Sequence, residues 1–277
     1  MSAHMQSSVA RWNPMLRAAL GCWQDARGFD QHRALAGYMA QRMLSRAGFG
    51  ADRERPRTIR LGGLELNLRP GSGELYLYQE IFRDRVYERA SDFALQPGWC
   101  VIDCGANIGM FSLRAARAGC SQIFALEPDP ATFACLALNL ERNRAAAVTA
   151  VPLAAGRTVG RAAFHRAAIS TLGHLVLRDA ADEKTPQDIF VSVTTLAALV
   201  DHYALPAVQL LKLDVEGAEA EALEGARPVL DRIERIVMEF HSAERLAACE
   251  QLLAENGFAR VALAPPAYAY FARRRVI

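Results

Sequence analysis

At 277 residues and 52% apolar, the chain is long enough for one large α/β domain with an extension and can bury a substantial core. Its formal charge of +2, with both signs interspersed, does not suggest the clustered basic face of a polyanion binder, so no nucleic-acid partner is expected. No apolar run is long enough to span a bilayer, and no basic start leads into an apolar stretch with a cleavage site, so no signal peptide is read.

The opening Met1-Ser-Ala-His-Met5 reads as an expression scar. Residues 6–56 read as an N-terminal helical extension ending in a charged linker with Pro56. Trp12, Met15, Leu16, Leu20 and Trp23, then Leu35, Tyr38, Met39 and Met43, recur at helical spacing. This stripe is either a packing face or a lid or homodimer surface. Residues 57–96 read as a hairpin and a helix leading into the core. The hairpin pairs Thr58–Leu61 with Leu64–Leu68 around Gly62-Gly63, and the helical stretch covers Glu74 to Arg89.

From 97 to 277 strands and helices alternate. Predicted strands are Trp99–Asp103, Gln122–Leu126, Ala147–Val151, Val208–Asp214 and Ile236–Phe240. Predicted helices lie near 108–119, 130–143, 195–203 and 217–231, with another over 243–256 between caps at Ser242 and Gly257. Such alternation implies an α/β fold with a mostly parallel sheet covered on both faces. Phe258–Leu263 and Tyr268–Arg273 read as a closing antiparallel pair. Residues 156–193 interrupt the alternation as an insertion, with small strands at Arg161–Phe164, His174–Leu177 and Ile189–Val193. The six cysteines have no C-x-x-C spacing. Cys100 and Cys104 fall on one predicted strand roughly 13 Å apart, beyond the roughly 4.4–6.8 Å of a disulfide. Reduced, buried thiols in a cytoplasmic protein follow.

The first predicted core strand runs into Asp103-x-Gly105-x-Asn107-x-Gly109, with Ala106 between, and the pattern then turns helical. Glycines at such a bend admit a ligand close to the backbone, and the helix that follows presents unpaired N–H groups. Asn107 stands where a dinucleotide fingerprint has the glycine that admits a pyrophosphate. The loop therefore favours a ligand without pyrophosphate and with a cationic group near Asp103, which S-adenosylmethionine fits. Glu127 ends the next strand, 24 residues on, where a carboxylate can accept both ribose hydroxyls. Asp129 is a weaker substitute.

A second cluster is Leu210-Leu-Lys-Leu-Asp-Val-Glu-Gly-Ala-Glu219. Lys212 and Asp214 share one strand face by period two, and the next strand ends with Glu239 and His241. Ionisable groups at neighbouring strand ends form an active-site pattern. Structural roles compete: Lys212 pairing with a carboxylate, or Glu216, Glu219 and Glu239 acting as helix-cap acids.

These stretches (VIDCGANIGMFS, ALEPDPATFACLALNLERN, LLKLDVEGAEAEALEGA and RIVMEFH, preceded by IFRDRVYERA) together resemble the FkbM-type branch of the class I S-adenosylmethionine-dependent methyltransferases. The resemblance implies a Rossmann-like fold with a seven-stranded, mostly parallel sheet and a terminal antiparallel strand. It implies methyl transfer to a hydroxyl of a sugar, macrolide or other specialised metabolite. By motif, Asp103, Gly105, Ala106, Asn107 and Gly109 would surround the methionine part, Glu127 and Pro128 the ribose, and Asp214 and Glu216 the methyl group. Where the family often has a polar pair near adenine, this chain has Ala154-Ala155-Gly156, leaving backbone contacts there.

An aliphatic alcohol needs a base. His241 is the first choice because its ordinary pKa lies near neutrality, ahead of Glu216 and Glu239, with His165 and His174 further off. The sequence does not require Mg²⁺. If a divalent ion serves instead, Asp214 and Glu239 would be its ligands. Acceptor walls are expected from the N-terminal helices, the Glu74–Arg89 segment with Tyr76, Tyr78 and Tyr87, and residues 156–193. The rival readings are a nicotinamide-dependent oxidoreductase and a catalytically inactive methyltransferase-like binding subunit.

Overall fold

A computed structural model describes residues 14–46, 55–165, 174–176 and 188–274. Trp12, Leu177 and the remainder of the 156–193 insertion lie outside the described residues. The chain forms two compact units, dividing after Arg85.

In the first unit, α1 (Pro14–Asp25) and α2 (Gly28–Arg46) accompany a hairpin of β1 (Arg57–Leu61) and β2 (Leu64–Leu68). The hairpin pairs in the register its Gly62-Gly63 turn dictates, Leu61 facing Leu64. α3 (Glu74–Tyr78) continues as a π-helical turn over Gln79–Arg83, so helix stops short of the expected Arg89. A buried ion pair, Arg69 Nε to Glu74 Oε1 at 2.7 Å, and the Tyr38 hydroxyl on the Arg69 carbonyl hold this unit. Tyr78, expected near the acceptor, is buried and donates to Asp25. Leu16, Leu20, Trp23, Phe29, Met43 and Leu44 stay exposed on the helices.

The second unit opens with a segment that packs on its own sheet. Phe93 meets Tyr270 edge-on at 5.1 Å, and Glu88 pairs with Arg114 at 2.9 Å. Its elements are β3 (Cys100–Cys104), α4 (Met110–Arg117), β4 (Gln122–Leu126), α5 (Pro130–Arg142), β5 (Val148–Val151), β6 (Ala154–Ala155), β7 (Gly160–His165), β8 (His174–Val176), β9 (Asp188–Thr194), α6 (Leu196–His202), β10 (Leu210–Leu213), α7 (Glu219–Glu224), β11 (Arg235–Glu239), α8 (Ala243–Glu255), β12 (Phe258–Ala264) and β13 (Tyr268–Arg273). The seven-stranded sheet has the order β12-β13-β11-β10-β3-β4-β5. β13, the last strand along the chain, runs antiparallel to both its neighbours and lies between β11 and β12. The insertion forms its own sheet, β6-β9-β7-β8.

Three boundaries differ from expectation for physical reasons. β3 extends through Cys104, because that residue pairs with both Leu213 and Leu126, so Asp103 lies inside the strand rather than at its end. The helix expected over 217–231 breaks after Glu224 and resumes as a 3₁₀ turn at Arg227–Arg232. Gly225 sits at the break, where a Cβ would come 2.1 Å from the Gly156 carbonyl. The strand expected from Val208 is regular only from Leu210, with Val208 held by an isolated bridge to Ile233.

Strand alternation sorts the core. Cys100, Ile102 and Cys104 of β3, Leu211 and Leu213 of β10, and Ile236 and Met238 of β11 face one apolar cluster with residues of α6, α7 and α8. The opposite face therefore receives Val101 and Asp103 of β3, and Leu210 and Lys212 of β10. The chain moves outward from β3 to β4 and β5, then returns to β10 on the other side, so the order reverses between β3 and β10. Splayed connections at such a reversal leave a crevice beyond the carboxyl ends of the strands, where α/β proteins hold ligands. All six cysteines are free and buried.

Ile236 is 0% exposed in a central strand. Ile236→Ala should lower unfolding free energy by about 2–5 kcal/mol through lost burial and a residual cavity, read by urea denaturation.

Candidate active site

The Asp103–Gly109 loop is built almost wholly by its own chain. The amides of Gly105 and Ala106 both donate to the Leu126 carbonyl, at 3.1 and 2.8 Å. Gly105 has φ +74°, and a Cβ there would come 1.7 Å from the Asp214 carbonyl oxygen. The crossing of two backbone segments thus demands a glycine here. Asn107 adopts φ +51°, a left-handed conformation that asparagine tolerates better than most residues. Its side chain accepts from the Ile108 amide at 2.8 Å. Gly109, at φ +87°, closes the loop onto the Ala106 carbonyl, and Asn139 of α5 donates to the Ile108 carbonyl at 2.9 Å.

Beneath the loop lies a buried charge cluster. Asp103 and Lys212 are Cα partners across β3 and β10, and Lys212 Nζ stands 3.0 Å from Asp103 Oδ1. The ammonium also donates to the carbonyls of Gly105 (2.8 Å) and Cys104 (3.3 Å) and lies 3.4 Å from Asp214 Oδ2. Ser112 donates to Asp103 Oδ2 at 2.6 Å. A protein cation thus stands beside Asp103, which is 0% exposed. Burial by itself would lower the lysine pKa, but the carboxylates of Asp103 and Asp214 more than reverse this and hold it above the ordinary range. Lys212 stays an ammonium and cannot serve as a base.

Asp214 is gripped from a second side. The Tyr87 hydroxyl donates to its Oδ2 at 2.8 Å, and the tyrosine ring packs edge-on against Phe111 and Tyr268. Burial, then the neighbouring Asp214 charge, push the Tyr87 phenol well above its ordinary pKa, so it remains a donor. An ammonium 3.4 Å away repels a divalent ion at this carboxylate. Among the described residues no group of three His, Cys, Asp or Glu is arranged to hold a metal.

Glu127 follows β4 and is 6% exposed. Its Oε2 accepts from the Asn107 amide at 3.0 Å and its Oε1 from the Asp129 amide at 2.9 Å. Burial, the leading cause, raises its pKa to about 7. Pro128 between the two acids is half-buried. Asp129, the weaker candidate for the ribose, is instead the N-cap of α5, accepting from the amide and hydroxyl of Thr132. Ala154 is buried in β6, paired with Val193 of β9. His165 and His174 are Cα partners between β7 and β8.

On the far side, Glu216, at φ +52°, and Gly217 make the turn between β10 and α7. His241 Nε2 lies 3.0 Å from Glu216 Oε2, and its Nδ1 lies 3.3 Å from Glu219 Oε1. Glu219 is buried and also accepts from the Gly217 amide. Hydrogen bonds to Glu216 and then Glu219 raise His241 to about 10. His241, between two carboxylates, thus lacks the near-neutral pKa expected of its residue type. Glu239 ends β11, Cα partner to Tyr268.

Sequence reasoning missed Ser112 and Asn139 and placed Tyr87 only among acceptor walls. Asn139 carries a local signal, being a lone amide on the buried stripe of α5 with Cys135, Leu136 and Leu140. Tyr87 has none, because it meets Asp214 across 127 residues.

The sheet order, the glycine loop at the reversal and the acid after β4 define a Rossmann-like class I methyltransferase fold. A family model, the methyltransferase FkbM domain, matches residues 103–259. The chain belongs to the FkbM methyltransferase family. It is 32% identical to the 31-O-demethyl-FK506 methyltransferase FkbM of Streptomyces tacrolimicus, over 76% of this chain and 92% of that protein. It is 28% identical to the hexuronic acid methyltransferase AglP of Haloferax volcanii, over 64% and 68% respectively. Among solved structures, magnesium protoporphyrin IX methyltransferase from Synechocystis, with bound SAM, superposes with a TM-score of 0.42 at 14% identity, covering 72% of this chain and 82% of that one. No helix among the described residues is long and apolar enough to cross a membrane.

Two outcomes follow from this geometry. Gly105→Ala should lower the melting temperature sharply, since the Cβ must displace the Asp214 carbonyl and adopt φ +74°; an unchanged melt in circular dichroism contradicts it. His241 should titrate near pH 10 in NMR spectra of its ring, with no step between pH 6 and 8. Because its folded value is raised, the pairing contributes fully below about 6.5 and is lost as pH climbs through about 10.

Proposed function

We propose that this methyltransferase transfers the methyl group of S-adenosylmethionine to a hydroxyl of a sugar, macrolide or other specialised metabolite, without a required metal. The observation that carries the cofactor reading is the pairing of the Asp103–Gly109 loop with Glu127 at the reversal of strand order. The donor set suits the group. Each Glu127 oxygen accepts one backbone amide, and a carboxylate oxygen has a second lone pair free for a ribose hydroxyl. Gly105, Ala106, Asn107 and Gly109 form the loop beside the methionine part, with Pro128 near the ribose and Ala154 near adenine. S-adenosylmethionine, when bound, supplies an electrophilic methyl group on a sulfonium.

The rest of the rate must come from this chain's residues. Alignment of the acceptor oxygen and exclusion of water account for most of it. Among bases, Glu216 is favoured over His241. The imidazolium holds Glu216 through one oxygen, and the residue keeps a left-handed backbone that is costly for a glutamate. Glu239 is the alternative. An oxygen acceptor accords with relatives named for a 31-O-demethyl compound and for a hexuronic acid.

The test has two arms. Calorimetry should detect S-adenosylhomocysteine and not NAD; the reverse pattern ends this reading in favour of an oxidoreductase. Tritiated S-adenosylmethionine should then label members of a panel of glycosides and hydroxylated macrolides, with EDTA leaving the rate unchanged. Binding without labelling of any panel member supports the inactive-subunit reading, and a rate abolished by EDTA and restored by Mg²⁺ removes the metal-free mechanism.

A further inference from the structure

We infer that Lys212 is a positioning residue for cofactor binding, a buried ammonium that sets the shape of the Asp103–Gly109 loop from below. The inference rests on the cofactor reading above and adds a residue that this reading does not use.

An ammonium has three donors and no acceptor. Its four oxygen neighbours within 3.4 Å are the Gly105 and Cys104 carbonyls and the carboxylates of Asp103 and Asp214. The two carbonyls belong to the residues at which β3 leaves the sheet. They are held differently. The Cys104 carbonyl also accepts the Asp214 amide, so the sheet ladder secures it without the lysine. Gly105 is a glycine at φ +74°, a residue whose peptide plane no Cβ restrains. The 2.8 Å bond from Lys212 holds the carbonyl side of that plane, while the Ala106 amide on its other side is tied to the Leu126 carbonyl at 2.8 Å. The lysine thereby helps set the path of the chain into Ala106 and Asn107.

The same ammonium reaches further through its partners. Asp103 passes the constraint to Ser112 in the first turn of α4 at 2.6 Å. Asp214 passes it to Tyr87, which lies outside the family-model match and whose ring centroid is 5.3 Å from Nζ. Lys212 is 3% exposed and sits under the loop, so it acts on a ligand only through the loop.

A merely structural ion pair and a positioning residue differ in what happens when both charges are removed. Lys212→Met by itself leaves Asp103 buried and uncompensated and should destabilise the fold severely. Asp103→Asn/Lys212→Met removes the fully buried pair at similar volume, leaving only the part-exposed Asp214 held by Tyr87, and should recover much of the melting temperature, because neutral replacement of a buried pair is often tolerated. It does not restore a donor to the Gly105 carbonyl. Calorimetric titration with S-adenosylhomocysteine is therefore expected to give a Kd weaker than wild type by about tenfold or more, in a protein that melts nearly normally. A double variant that binds within about threefold of wild type overturns the inference, since the pair then serves stability alone. So does Lys212→Met itself, if it folds and binds at wild-type affinity. Wild-type protein that ignores S-adenosylhomocysteine sinks the cofactor reading, and this inference falls with it. A double variant that alone loses affinity, beside a wild type that binds, supports both.

Discussion

One pair of charges organises the carboxyl edge of the sheet: Lys212 against Asp103, partners in register between the two strands where the order reverses. Neither group is in contact with bulk water, at 3% and 0% exposure. Removing an isolated ion from water costs several kcal/mol even after relaxation, on the order of what a whole domain has to spare. The surroundings must therefore compensate both charges, and the contacts around the pair do so. Two carbonyls turn inward to the ammonium, a serine hydroxyl turns to the carboxylate, and Asp214 with its tyrosine closes the remaining side.

Around that centre the acidic residues divide by partner. Glu127 accepts from two backbone amides, and burial raises its pKa to about 7. Glu216 and Glu219 share one imidazole, which their hydrogen bonds raise to about 10. Asp103 and Asp214 share one ammonium. Residues of one chemical type are thus set to different tasks by what lies within 3.5 Å of each: a neutral cradle, a charged clamp, and a sealed counter-charge. The inversion at His241 is the sharpest consequence. A ring that would be half-charged near neutrality by itself is made a fixed cation by two neighbours from another turn.

The alternation of elements in the second unit was legible because parallel strands buried on both faces leave near-continuous apolar runs, and because the caps Ser242 and Gly257 act locally. Gln122–Leu126 is found at its expected bounds, and the closing pair and the hairpin within a residue or so. Errors gathered where a distant segment decides the outcome. Asp103 read as a strand end, since nothing nearby reveals that Cys104 pairs on both sides. The helix after Glu219 read as continuous, since the close approach of Gly225 to Gly156 joins residues far apart in sequence.

By itself the sequence determined the class of fold and the family. Periodicity, glycine spacing and acids at strand ends are short-range properties, and they survive in one dimension. Only the tertiary structure decided the partners of the ionisable residues: that Asp103 pairs with Lys212, that His241 lies between two carboxylates with a raised pKa, that Tyr87 holds Asp214. Those outcomes depend on burial and on charges a few ångströms away, and distances of that kind are set when strands pair, not by order along the chain.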